Sequence, residues 1–207
     1  MLESEARQNI PDKIDWYSLS RNPAIFKPTK NEIYKSLHDG SNVNHLDENK
    51  QSPFDIACLN EDEEMVRLLA DLGADVDKED DDGRTQLHSA SKNGVYGIVN
   101  ILIDKGAEVN KYCNNGMTPL HYASEYGHTD IVKIMIENGA DVNHADEDGL
   151  TPVHLSCMEG HMDNLMVLFE NGAKLNEEDE EGLTPAQHAS MGGHMNMKKF
   201  IEYNSNN

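Results

Sequence analysis

The chain has 207 residues, with 17 Lys and Arg against 38 Asp and Glu, a formal charge of −21. So acidic a protein lacks the basic patches that displace counterions from nucleic acid, and an anionic membrane surface would repel it. Hydrophobic residues make only 37% of the chain, a balance that leans toward disorder unless an internal pattern overrides it.

The N-terminus reads Met1-Leu2-Glu3-Ser4-Glu5-Ala6-Arg7. It has no apolar h-region, so no secretory signal is expected. No stretch approaches the ~18 apolar residues of a membrane span. Residues 1–28 carry Trp16, Leu19, Ile25 and Phe26, the apolar side chains available to cover whatever element follows. The three cysteines, Cys58, Cys113 and Cys157, have no metal-type spacing. Their odd number fits a reducing intracellular compartment, cytoplasmic or nuclear.

From residue 40 onward the chain repeats with a period of 33. Gly40, Gly73, Gly106, Gly139 and Gly172 form one column, Gly83, Gly116, Gly149 and Gly182 a second, and Gly94, Gly127, Gly160 and Gly193 a third. Thr118-Pro119-Leu120-His121 returns as Thr151-Pro152-Val153-His154. Degraded copies are Ser52-Pro53-Phe54-Asp55, Thr85-Gln86-Leu87-His88 and Thr184-Pro185-Ala186-Gln187. Gly139-Ala140-Asp141-Val142-Asn143 has cognates at Gly73, Gly106 and Gly172.

Each unit reads as two short helices and a turn. Thr or Ser before Pro is an N-cap followed by a first-turn proline that needs no amide donor, so a helix starts there. The third glycine column ends it in the left-handed conformation. A second helix follows, apolar at positions such as Ile131, Val132, Ile134, Met135 and Ile136, and stops at the Gly-Ala column. The polar connection to the next unit carries Asp82-Gly83, Asn115-Gly116 and Asp148-Gly149, pairs suited to tight hairpin turns.

Two helices and a hairpin per 33 residues, with T-P-L-H and G-A-D-V-N in register, resembles the ankyrin repeat family. The fold expected is an all-α repeat solenoid of helix–turn–helix units joined by β-hairpin loops. Its repeats run over 47–79, 80–112, 113–145, 146–178 and 179–207, with a degenerate half repeat at 29–46 and an N-terminal capping segment at 1–28. The C-terminal unit reads as a cap: Lys198 replaces Val66, Val99 and Val132, and Glu202 replaces Ala70, Ile103 and Ile136. The tail Asn204-Ser205-Asn206-Asn207 is expected to fray. Trp16-Tyr17-Ser18-Leu19-Ser20-Arg21-Asn22-Pro23-Ala24-Ile25-Phe26 also resembles a short motif common in giant DNA virus proteins.

Catalytic and metal chemistry find no support. His88, His121 and His154 recur at equivalent positions, as do His128, His161 and His194. Stacked helices lie about 8–10 Å apart, too far for ligands that must all reach one ion at ~2 Å. The resemblance gives the T-P-L-H histidine a local hydrogen-bonding role. The acidic loops lack the twelfth-position Glu of a calcium loop, placing Ser89, Leu155 and His188 there. Cys58 and Cys157 share one repeat position three units apart, beyond disulfide reach. Cys113 falls in a hairpin, where exposure is expected. No P-loop, nucleophile elbow or zinc-protease motif occurs, so neither enzyme activity nor a cofactor is expected.

The resemblance implies protein binding across the hairpin tips and first helices. The residues expected there are Asp81, Asp82, Arg84, Glu147, Asp148, Glu180 and Glu181, with Tyr112, Met117, Tyr122, Tyr126, Leu150, Met158 and Leu183 as an exposed apolar line. The leading expectation is a monomeric adaptor or inhibitor that takes a basic segment of another protein. The alternative is a regulatory or substrate-receptor subunit that uses residues 1–28 as a second dock. Asn110 and Asn143 fit the family's asparagine-hydroxylation pattern, with Leu102 and Met135 eight residues upstream.

Overall fold

The computed structural model describes residues 42–47 and 49–205. The capping segment 1–28 and most of the half repeat 29–46 lie outside the described residues. The chain divides into two compact units, Met1–Asp75 and Val76–Asn207.

In the first unit, α1 (Pro53–Leu59) and α2 (Glu63–Asp71) form one antiparallel pair. Ser52 starts α1. Its Oγ accepts the Asp55 N–H at 3.1 Å, and Asp55 Oδ2 accepts the Ser52 N–H at 2.7 Å. That reciprocal box satisfies two amides a helix N-terminus would otherwise leave free. Phe54, Val66 and Leu69 are buried between the helices. Where later repeats have Gly83 and Gly94, this repeat has Lys50 and Glu61, whose φ values of 60° and 55° are left-handed.

The second unit holds α3 (Gln86–Asn93), α4 (Tyr96–Asp104), α5 (Pro119–Glu125), α6 (Thr129–Glu137), α7 (Pro152–Glu159), α8 (Met162–Glu170), α9 (Pro185–Met191) and α10 (Met195–Ser205). The helices α3, α5, α7 and α9 pack side by side in one layer. The helices α4, α6 and α8 form a second layer behind it, and α10 closes on α9. Between the layers Leu87, Ile98, Leu102, Leu120, Ile131, Met135, Leu165 and Leu168 are fully buried. Each contributes about 1.5–3 kcal/mol by leaving water.

The T-P-L-H histidine is both cap and rivet. The Nδ1 atoms of His88, His121 and His154 accept the N–H of Thr85, Thr118 and Thr151 at 3.0–3.1 Å. That leaves the ring proton on Nε2, which donates to the carbonyls of Met117, Leu150 and Glu177. Each ring thus ties its own helix start to the following loop. All three are essentially inaccessible to water. Burial drives the pKa of His88 and His121 down to about 4 and lowers that of His154.

The connecting loops are tight fingers. Among the described residues no strand forms. In the third repeat the Cys113 N–H donates to the Met117 carbonyl and the Gly116 N–H to the Cys113 carbonyl. The fingers at Asp80, Asp146 and Asp179 close in the same way. Two bonds close a turn but are too few to build a ladder. Adjacent fingers are also stitched, Glu147 N–H to Asn115 O at 3.1 Å and Glu180 N–H to Asp148 O at 3.0 Å. A Cβ on Gly116, at φ +80°, would lie 2.8 Å from the Glu147 nitrogen, so this close approach needs glycine.

The third glycine column has a second role. Gly127 ends the first helix at φ +77°, and a Cβ there would lie 2.6 Å from Cε1 of the His161 ring. That ring hydrogen-bonds Glu125 O at 3.0 Å. At the C-terminus, Lys198 and Glu202 pair at 3.8 Å while Met197 and Ile201 stay buried. The last helix, α10, runs to Ser205, with Phe200 edge-on to Phe169 at 5.5 Å.

Candidate partner-binding face

One carboxylate in each acidic finger is structural. Asp80 Oδ1 accepts the N–H groups of Asp82 and Arg84, both at 2.9 Å. Asp146 does the same for Asp148 and Leu150, and Asp179 for Glu181 and Leu183. These aspartates hold the turn from inside, as Asx turns do. Asp179 is further bound by His188 Nε2 at 2.6 Å. Burial works against its ionised form, but that contact and the backbone donors bring its pKa below the usual value.

The remaining acids point outward. Asp81, Asp82, Glu147, Asp148, Glu180 and Glu181 are all exposed. Arg84 is half-buried and pairs with Asp82.

The apolar line is broken at two positions. Met117 and Tyr122 are only 8% and 7% exposed. Cys113 stands where the other fingers have aspartate. This finger packs on an apolar cluster of Cys113, Met117, Tyr122 and Leu155, with Leu150 against it. The Cys113 thiol contacts Asn115 Oδ1 at 2.8 Å and lies 3.7 Å from the Tyr122 hydroxyl. Burial, followed by the Cys113 contact, pushes the Tyr122 pKa up. The expected exposure of Cys113 is therefore corrected: it is buried, as are Cys58 and Cys157, and all three are free thiols. Burial pushes Cys157 up to about 12 and raises Cys58 as well.

What stays accessible is Tyr112 at 63%, Tyr126 at 44% and Met158 at 37%, with Leu150 and Leu183 half-buried. Lys92 Nζ sits 5.4 Å from the centre of the Tyr126 ring. Met191, one period after Met158, is exposed and belongs to the same edge. Its place in the column of Lys92, Glu125 and Met158 marks it in the sequence as a position of that edge.

Asn110 and Asn143 are structural bridges. Asn110 Nδ2 donates to Gly139 O and its Oδ1 accepts the Asp141 N–H, both at 2.8 Å. Asn143 spans Gly172 O and the Lys174 N–H in the same way. In the first unit Asn44 bridges Gly73 O and the Asp75 N–H. Sequence reasoning missed this role, although the recurring Val-Asn and Val-Asp pairs carried the signal.

Among the described residues no group of three or more His, Cys, Asp or Glu could hold a metal ion. None of their helices is long and apolar enough to cross a membrane. Stacked helix pairs, fingers between pairs and an accessible finger-and-helix edge define a helical repeat protein. The family model for ankyrin repeats (three copies) matches residues 24–113, 72–146 and 96–179, and the chain belongs to the ankyrin repeat family. Such repeats are generally protein–protein interaction modules, and proteins built from them are typically not enzymes. No curated protein matches the chain.

Proposed function

We propose that this protein is a non-enzymatic adaptor or inhibitor that binds, as a monomer, a basic segment of another protein across its fingers and first helices. The observation that supports this reading is the outward set Asp81, Asp82, Glu147, Asp148, Glu180 and Glu181. Only one acid in each of these fingers is used to hold the turn. Like charges on these fingers, adjacent at Glu147 and Glu180, repel one another, and a cationic partner relieves that repulsion. Tyr112, Tyr126 and Met158 supply apolar anchors beside them. Tyrosine is enriched at interface hot spots, and methionine adapts to irregular surfaces.

The test is calorimetric titration of a basic peptide with an apolar centre, of about 20 residues, against a control of the same pattern with every Lys and Arg changed to Glu. The basic peptide is expected to bind with one-to-one stoichiometry and the acidic one to give no heat. Equal binding of both would reject the proposal.

A further inference from the structure

A groove of about 740 Å³ opens between the fingers of the second unit, lined by Glu79, Glu108, Lys111, Tyr112, His144 and Glu147 among others. Its chemistry is asymmetric. Lys111 is its only ammonium group and is held by Glu79 at 2.8 Å. Glu108 and Glu147 are exposed and, among the described residues, form no ion pair. Asp146 at the groove wall commits Oδ1 to its own turn. After internal pairing the groove therefore keeps a surplus of negative charge.

Within it stands an aromatic platform. The Tyr112 ring stacks on His144 with centroids 5.9 Å apart and planes inclined by 22°. His144 is itself braced edge-on by His121 at 5.8 Å. One face of Tyr112 is thus supported from behind. With 63% of the residue exposed, the other face meets water. A braced ring facing solvent beside unpaired carboxylates attracts a flat cation, because the ring face is electron-rich and little side-chain entropy remains to be lost.

We infer that this groove is an arginine-recognition subsite: an extended segment of the partner places one guanidinium flat on Tyr112, with its N–H groups directed at Glu108 or Glu147. The inference rests on the proposed basic partner and adds which residue of it is read, and where. Arginine suits the site better than lysine. Its planar fork stacks on an aromatic face and can pair with a carboxylate through two N–H groups, whereas an ammonium is a compact, strongly hydrated point charge. Position 112 is the determinant. Its cognates one period away, Glu79 and Ala145, offer no ring, so the subsite occurs once among the fingers from Glu79 to Glu147.

The test uses three Gly/Ser peptides alike except for a central Arg, Lys or citrulline, titrated into the full chain while the Tyr112 and His144 ring resonances are followed by NMR. The Arg peptide should shift both rings saturably. The Lys peptide should bind at least about threefold more weakly, and citrulline, planar but neutral, should give no shift. Tyr112→Ala should lower Arg affinity at least fivefold while Tyr112→Phe retains it. Because Tyr112 is exposed, both variants should melt as the wild type does. Equal binding of Arg and Lys peptides, or full affinity in Tyr112→Ala, overturns the arginine subsite and leaves the basic-partner reading standing. If neither cationic peptide nor the longer basic peptide perturbs any finger residue, both readings fall.

Discussion

The buried histidines make the repeat stack acid-labile well above the pH at which carboxylates titrate. His88 and His121 must be neutral when folded, since Nδ1 accepts a threonine amide while Nε2 donates to the next loop. Their folded pKa values are about 4, against 6.5 when unfolded. Between these values the unfolded chain binds the proton and the folded chain does not. The histidines' stabilisation is therefore complete above pH 6.5 and is lost as pH falls toward 4. At 1.36 kcal/mol per pKa unit, each contributes a loss of about 2 kcal/mol between pH 7 and pH 5. Two such losses are a large fraction of the ~5–15 kcal/mol that stabilises an ordinary domain.

Opposing effects act in the same range. Burial raises the pKa values of Asp146 and Glu125, and both groups favour the folded state as they protonate. Neutralising a charge of −21 also relieves repulsion. His121→Gln separates these contributions. Gln187 already fills the histidine position of the last repeat and accepts the Thr184 N–H at 2.7 Å without titrating. The variant should cost about 1–2 kcal/mol at pH 7, for the lost bond to Leu150 O. Urea unfolding at pH 7 and pH 5 should then show about 2 kcal/mol less acid destabilisation than in the wild type. An unchanged pH dependence in His121→Gln would refute the assignment of the acid lability to the neutral ring.

Further outcomes follow from particular positions. Lys50→Gly and Glu61→Gly, which restore the glycine columns in the first repeat, should each stabilise it by about 1 kcal/mol, read as a higher urea midpoint, since left-handed backbone strains a side chain there. Gly127→Ala should cost more than Gly139→Ala, by about 1 kcal/mol or more. Both have φ near +80°, but only at Gly127 does the added carbon meet a neighbour, the His161 ring; equal midpoints would contradict that. Asn110 and Asn143 are proposed as hydroxylation sites, and intact-mass measurement of protein from its native cell should show additions of one oxygen. A mass equal to the bare sequence would discard that proposal.

The period, the helix pairs and their caps were legible because they depend on backbone geometry. Glycine at φ > 0, proline at a first turn and threonine before it leave marks at fixed spacing. Exposure within the binding edge was not legible in the same way. The column of Ser89, Tyr122, Leu155 and His188 gives four side chains one backbone position. Whether each is buried depends on what the finger above it presents. Tyr122 is covered in a cluster with Cys113, Met117 and Leu155, and a tyrosine taken alone reads as a surface anchor. The acidic runs misled differently. Asp80, Asp146 and Asp179 recur in register and hold turns, so the acids left to meet a partner are their exposed neighbours.

The central claim is that the exposed finger acids draw in a basic partner while the aromatic edge retains it. It is tested most directly by stopped-flow association of the basic peptide with wild-type protein and with Asp81, Asp82, Glu147 and Asp148 all changed to Lys. Exposed ion pairs contribute only about 0–1 kcal/mol each, so charge should act chiefly on the encounter rate. Association should fall at least tenfold in the reversed protein. In the wild type it should fall steeply as salt rises from about 50 to about 500 mM and screening shortens to a few ångströms. Dissociation should change little with salt and should quicken in Tyr112→Ala and Tyr126→Ala. Association indifferent to both salt and charge reversal, with affinity intact, would show that the acids serve only to keep the protein in solution.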